Sequence, residues 1–134
     1  MDDNRWDVGR FDDIWSGLFL KRACDVLDTH IYNGAPLCQH NKAPRSTFDD
    51  LQNEVAGLEL NEHLWEIVDS TGENAQSYAG VLRAIADDLV DGDWSEWNNG
   101  AFLNYCGQYM QDWLDCLDEL EATAVATQPV ANDD

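Results

Sequence analysis

The chain has 134 residues, of which 44% are hydrophobic, and it carries a formal net charge of −20. Its six Trp, four Tyr and four Phe exclude a disordered chain and fit one folded domain with a real core. The absence of any apolar run of about 18 residues argues against a membrane-spanning helix. The start of the chain also lacks the basic and apolar stretches of a secretory signal, so we expect a cytoplasmic protein with reduced cysteines.

The hydrophobic pattern predicts an all-α fold, a compact bundle of about five helices with a long C-terminal helix, in one acidic domain over 1–134. A wide apolar stripe predicts the first helix over 11–32, and the pair Asn33-Gly34 stops it. The residues that follow, 33–45, contain two prolines and predict a long loop. Loops of this length are often functional.

Three predicted helices fill the middle of the chain. Ser46 caps the first of them, and Gly57 ends it. Asn61 is predicted to cap the second. The third lies between Tyr78 and Gly92 and has the cleanest period of about 3.6 residues.

The last predicted helix covers 100–126 and has a stricter period. Its apolar seam steps alternately by three and four residues, through Leu103, Cys106, Met110, Trp113, Leu117, Leu120 and Ala124. Such a seam is typical of the core of an intramolecular bundle, and a homodimer through the Leu103–Ala124 seam is the alternative. The segments 1–9 and 127–134 lack a comparable pattern and are expected to be flexible.

Cysteine and tryptophan positions complete the predicted core. The cysteines within helical patterns are interpreted as small core hydrophobes: Cys24, Cys106 and Cys116. Trp15, Trp65 and Trp113 lie on apolar faces and are also predicted to be core residues. Trp94 and Trp97 lie in an acidic turn, where they either anchor a partner or cover the end of the bundle.

Acidic residues are distributed unevenly along the chain. Residues 1–45 hold seven acids and six bases, a net charge of −1, whereas residues 46–134 hold twenty acids and one base, a net charge of −19. A field of this kind repels nucleic acids and anionic membranes and attracts basic partners. We therefore expect no direct nucleic-acid binding and no membrane binding. The expected partner is a basic protein, in particular one that binds nucleic acids.

Rows of carboxylates at helical spacing suggest how such a partner is bound. Duplex DNA presents one negative charge about every 1.7 Å of axis, and carboxylates on two rigid helices offer a comparable array. In charge balance, size and helical content the chain resembles the acidic DNA-mimic inhibitors that phages and plasmids use against restriction or CRISPR machinery. The resemblance is one of properties and covers no aligned residues. The predicted partner-binding site contains Asp87, Asp88, Asp91, Asp93, Glu96, Asp112, Asp115, Asp118 and Glu119, with Trp94 and Trp97 as anchors.

Two alternatives to the inhibitor remain open. One is an ordinary helical adaptor, such as a halophile protein, whose charge serves solubility. The other is a zinc-stapled domain or metal-dependent enzyme that uses Cys38 and His40, although the second ligand pair of a zinc site is missing. His63 is flanked by Glu62 and Glu66, and no nucleophile or phosphate-loop motif accompanies it. The sequence therefore predicts a protein that is not an enzyme and has no metal or cofactor.

Overall fold

The computed structural model describes residues 6, 8–9, 11–37 and 46–126, which form four α-helices and no strand. The helices are α1 (Asp12–Val26), α2 (Thr47–Asp69), α3 (Tyr78–Asp91) and α4 (Ala101–Ala126). The all-α class and the long C-terminal helix are confirmed. The number of helices is four in the described part of the chain, where the sequence predicted about five.

The difference in number arises in α2, which runs unbroken through the predicted boundary at Gly57. Gly57 is buried against Phe11, and a Cβ atom built at this position would lie 2.2 Å from the Phe11 ring. This glycine therefore admits an aromatic ring to the helix surface instead of ending the helix. Asn61 does not cap a new helix. It accepts a hydrogen bond from the indole Nε1 of Trp15 at 3.2 Å, which joins α1 to α2.

The ends of α1 and α2 show where the chain turns. The predicted cap at Ser46 is confirmed, because its Oγ accepts a hydrogen bond from the Asp49 amide at 3.3 Å. By contrast, α1 ends at Val26, six residues before the predicted boundary. Asp28 follows with a φ of 51°, a left-handed conformation that ends the helix before the predicted Asn33-Gly34 stop.

Helix α3 lies at the centre of the fold and packs against the other three helices. It runs antiparallel to α4 across the turn formed by residues 92–100, and these two helices share the most extensive contact in the molecule. The core is formed where α2, α3 and α4 converge with the start of α1. Its fully buried large side chains are Leu60, Leu64, Val68, Val81, Ile85, Leu89, Leu103 and Leu114.

The apolar face of α4 differs from the predicted seam. Leu103 is buried as predicted, but the deeply buried residue in the next turns is Leu114 and not its neighbour Trp113, which is 55% exposed. Leu120 is also exposed. A straight helix drifts by about 20° per heptad from a strict seven-residue repeat, so the predicted seam rotates away from α3 along its length.

Two further core predictions need correction. Trp15 is buried as predicted, but Trp65 on α2 is 50% exposed, like Trp113 on α4. Two residues of the predicted lead-in lie against the core, since Val8 is buried and Trp6 is half-buried beside it. Within the described ranges, no helix is long and apolar enough to cross a membrane.

Candidate functional site

The structure places the nine acids of the predicted site at exposed positions on α3, α4 and the turn between them. They do not form one open row. Arg83 of α3 donates from Nη1 to Asp115 and from Nη2 to Asp118, each at 2.8 Å. These hydrogen bonds and the nearby carboxylates raise the pKa of Arg83. Two of the predicted partner-binding acids therefore hold α3 against α4.

Other acids of this set also have partners within the molecule. Asp87 accepts a hydrogen bond from Gln111 Nε2 at 2.7 Å, which adds a second link between α3 and α4. Asp88 is hydrogen-bonded to the hydroxyl of the buried Thr71. Asp93 accepts hydrogen bonds from Ser95, and these lower its pKa. Several of these surface carboxylates are therefore engaged in hydrogen bonds within the molecule.

The two tryptophans of the predicted site both pack at the end of the bundle. Trp94 is half-buried, and its Nε1 donates to the carbonyl oxygen of Leu89 at 2.9 Å. The ring of Trp97 stacks with Trp94 at a centroid distance of 5.1 Å and with the imidazole of His63 at 4.4 Å. These contacts favour the interpretation that both rings cover the bundle end. Their predicted role as partner anchors stays a prediction.

A pocket opens beside this stack, between α2 and the turn. We call it the His63 pocket, and it is lined by Glu59, Leu60, His63, Glu96, Trp97 and Asn98. Its cavity volume is about 260 Å³. Asn98 Nδ2 donates to Glu59 Oε2 at 2.8 Å, which connects the two walls of the pocket. The imidazole of His63 is exposed, so it is available to a ligand from solvent.

The chemistry of the His63 pocket suits a small polar molecule with an apolar side. Two carboxylates accept hydrogen bonds, an amide donates and accepts, and the aromatic rings offer an apolar surface. None of the cations in the described part of the chain (Lys21, Arg22 and Arg83) lines the pocket. No group of three or more His, Cys, Asp or Glu side chains within the described ranges is placed to hold a metal ion.

Three residues of this pocket carry separate predictions from the sequence. Glu96 and Trp97 are predicted partner contacts, and His63 is a predicted base beside Glu62 and Glu66. Glu62 and Glu66 do not line the pocket; Glu59, which precedes His63 by one helical turn, does. The partners of His63 in the turn are more than thirty residues away in sequence, which no local pattern could indicate. Cys38 and His40, the candidate zinc ligands, lie outside the described residues.

The cysteines differ sharply in accessibility. Cys24 is buried, Cys106 is half-buried and Cys116 is exposed, so the predicted core position of Cys116 is wrong. Burial raises the pKa of the Cys106 thiol to about 12.

We expect iodoacetamide at pH 8 to alkylate Cys116 well before Cys106 or Cys24. With a pKa of about 12, only about one Cys106 thiol in ten thousand is the reactive thiolate at this pH. Peptide mapping after a time course measures each site separately, and a fully unfolded sample serves as the control for intrinsic reactivity. Equal rates at Cys106 and Cys116 in the folded protein would contradict the packing of α4 against α3.

Comparison with known proteins identifies a protein family that the chain matches. A family model described as "Reversibly glycosylated polypeptide" matches residues 2–122. The chain is 24% identical over 125 residues to UDP-arabinopyranose mutase 2 of Arabidopsis thaliana, covering 89% of the chain and 32% of that protein. It is 25% identical over 122 residues to the probable UDP-arabinopyranose mutase 2 of Solanum tuberosum, covering 87% and 31%. No solved structure matches the chain.

The fold and the His63 pocket define an acidic helical protein with a small polar and aromatic cavity. Since the family model covers most of the chain, the chain belongs to the reversibly glycosylated polypeptide family. It spans about a third of the length of the curated relatives named above. A shorter match, to UDP-arabinopyranose mutase 1 of Oryza sativa subsp. japonica, is 35% identical over 57 residues and covers 42% of the chain.

The family corrects the functional prediction from charge. The predicted DNA-mimic inhibitor of defence machinery is wrong, because the matching proteins are named as mutases of a nucleotide sugar. The prediction that the protein is not an enzyme is wrong for the same reason. The charge asymmetry is real, but it reports on electrostatics and not on fold or family, so it could not distinguish an inhibitor from a member of this family.

Proposed function

We propose that this chain is the sugar-binding helical part of a protein of the reversibly glycosylated polypeptide family that acts on a nucleotide sugar. The proposal extends to this chain the substrate class in the names of its relatives, UDP-arabinopyranose. The observation that carries it is the His63 pocket, in which Glu59, Glu96, Asn98 and two aromatic rings converge. In this proposal the pocket holds the sugar ring.

The size of the pocket favours a single ring. Pockets for drug-sized ligands are typically about 300–1,000 Å³, and the His63 pocket is smaller, about 260 Å³. A sugar ring has hydroxyl groups at its edge and an apolar face. Carboxylates of Glu59 and Glu96 suit the hydroxyls, because hydrogen bonds to charged groups contribute about 1.5–3 kcal/mol each.

The charge of the pocket argues that the diphosphate of a nucleotide sugar is bound elsewhere. A like charge about 4 Å away costs about 4 kcal/mol at an effective dielectric constant of 20, more than one hydroxyl contact contributes. The pocket has two carboxylates, and none of the described cations lines it. We therefore assign the diphosphate to the part of the family's proteins that this chain does not span.

Replacing Glu96 with glutamine tests the proposal that the His63 pocket binds the sugar ring. Glu96→Gln keeps the size of the side chain and removes the charge, so we expect arabinopyranose to bind about tenfold more weakly, which corresponds to about 1.4 kcal/mol. The dissociation constant is measured by NMR titration of the chain. Glu62→Gln is the matched control, since Glu62 is an exposed acid of α2 that does not line the pocket. Equal affinities in the two variants would contradict a sugar site at Glu96.

A further inference from the structure

The hydrogen-bonding groups of the His63 pocket are unevenly divided between acceptors and donors. The side-chain nitrogen Nδ2 of Asn98 already donates to the carboxylate of Glu59 at 2.8 Å. Ionised carboxylates, here those of Glu59 and Glu96, accept hydrogen bonds and cannot donate them. Within the described ranges, no hydrogen bond or ion pair engages the side chain of Glu96. The pocket therefore offers mainly acceptors, and it suits a ligand that carries several donors.

The charge of the pocket favours the same kind of ligand. Glu59 and Glu96 bring two negative charges to its walls, and none of the cations in the described part of the chain lines it. The surrounding half of the molecule, residues 46–134, holds twenty acids and one base. A cation is therefore attracted both by the pocket and by the field around it, whereas the diphosphate of a nucleotide sugar is repelled.

The aromatic wall of the pocket distinguishes between kinds of cation. The ring of Trp97 stacks with the imidazole of His63 at an interplanar angle of 19° and with Trp94 at 30°. His63 is the exposed member of this series of three rings. A guanidinium group is planar, carries five N–H donors and stacks on aromatic faces, whereas an ammonium group is a compact point charge. A flat ring beside two carboxylates favours the guanidinium group.

We propose that the His63 pocket binds the guanidinium group of an arginine side chain from a protein partner. The guanidinium group stacks on the ring of His63 and donates to the carboxylates of Glu59 and Glu96. The cavity of about 260 Å³ holds this group or a sugar ring, so the two ligands exclude each other. The inference goes beyond the proposed function, because it concerns a second class of ligand and holds whether or not a sugar binds.

The carboxylates also indicate why the arginine belongs to a polypeptide. Free arginine carries an α-carboxylate, which Glu59 and Glu96 repel as they repel a phosphate. Within a polypeptide this group is a neutral amide. Free arginine is therefore expected to bind more weakly than an arginine whose two ends are blocked.

A matched pair of blocked amino acids tests the guanidinium site. N-acetyl-arginine amide is titrated into the chain, and NMR follows the indole of Trp97 and the imidazole of His63. N-acetyl-citrulline amide is the control, because it replaces the guanidinium group with a neutral urea group of nearly the same shape. We expect the arginine probe to bind about tenfold more tightly than the citrulline probe, since it alone forms charge-assisted hydrogen bonds with the carboxylates.

Two further comparisons separate this site from a general attraction of cations to an acidic protein. Glu96→Gln should remove most of the preference for the arginine probe, and Glu62→Gln, at an exposed acid of α2 outside the pocket, should retain it. Circular dichroism checks that both variants fold. Raising the salt concentration should weaken binding of the arginine probe and leave binding of free arabinopyranose unchanged, because salt screens charges.

Three results would overturn the inference. They are equal affinities for the arginine and citrulline probes, shifts confined to residues outside the pocket, or a folded Glu96→Gln variant that keeps the full preference. Free arginine that binds more tightly than the blocked probe would overturn the assignment to a protein partner. A failure of arabinopyranose to bind would contradict the proposed function and leave the preference for arginine over citrulline intact, so the two failures are distinguishable.

Discussion

We expect replacement of Asn104 with aspartate to destabilise the folded protein strongly. Asn104 lies in the first turn of α4, and its Nδ2 donates to the carbonyl oxygens of Leu89, Val90 and Gly92 at 2.9–3.0 Å. These carbonyls lie at the end of α3, where a helix leaves its last carbonyl groups without partners. The Asn104 amide on α4 therefore acts as a C-terminal cap of the neighbouring helix α3.

The two substitutions at Asn104 separate loss of a donor from added repulsion. Asn104→Ala leaves part-buried carbonyls without this donor and should cost about 1–3 kcal/mol. Asn104→Asp places a charged acceptor against three acceptors and should cost more than the alanine variant, because an unpaired charge is more expensive than an unpaired neutral group. Urea unfolding followed by circular dichroism measures both free energies.

Gln108→Glu is the control for net charge in the Asn104 series. It adds the same negative charge one turn further along α4, at an exposed position. We expect a change of no more than about 0.5 kcal/mol, as for surface substitutions in general. If Gln108→Glu were as destabilising as Asn104→Asp, the loss of stability would come from the net charge of the chain. The proposed capping of α3 by Asn104 would then be rejected.

Alanine at Gly107 and alanine at Gly17 are expected to change stability in opposite directions. Both glycines lie within helices, where alanine is favoured over glycine by about 1 kcal/mol. A Cβ atom at Gly107 would lie 2.7 Å from the backbone oxygen of Ala86 and 2.9 Å from Leu89 Cβ. At Gly17 no atom lies within 4 Å of the added Cβ.

We therefore expect Gly17→Ala to stabilise the protein by about 0.5–1 kcal/mol, through propensity alone. Gly107→Ala should destabilise it by about 1–3 kcal/mol, because the contact with a backbone oxygen forces α3 and α4 apart. Thermal and urea unfolding measure the sign of the change in the free energy of unfolding for each variant. A stabilised Gly107→Ala variant would mean that α3 and α4 are not in the close contact described above.

The glycines show why the helix class was predictable and the helix count was not. Apolar periodicity predicted helical structure at each of the four described helices, because period is a local property of the chain. Gly57 was interpreted as a stop, but its function depends on Phe11, which lies more than forty residues earlier. Glycine ends one helix and admits a neighbouring side chain in another, and only the tertiary contact decides between the two.

The functional surface was predictable only in its components. The sequence singled out His63, Glu96 and Trp97, but for separate reasons, and the pocket exists because the turn folds back onto α2. The sequence carries no sign that some acids of α3 and α4 are paired, because their partners, Arg83 and Gln111, lie on the opposite helix. The capping role of Asn104 could not be predicted from the sequence, because no local pattern indicates that an asparagine in α4 bonds to three carbonyl groups at the end of α3.

In the function proposed above, the His63 pocket binds the sugar ring of a nucleotide sugar. The direct measurement is an NMR titration of the wild-type chain with UDP-arabinopyranose, free arabinopyranose and UDP, read at the indole of Trp97 and the imidazole of His63. We predict that free arabinopyranose shifts these signals, that UDP-arabinopyranose shifts the same signals with a weaker affinity because its diphosphate is repelled by the two carboxylates, and that UDP does not shift them. Shifts caused by UDP alone, or sugar-induced shifts confined to residues outside the pocket, would contradict the claim.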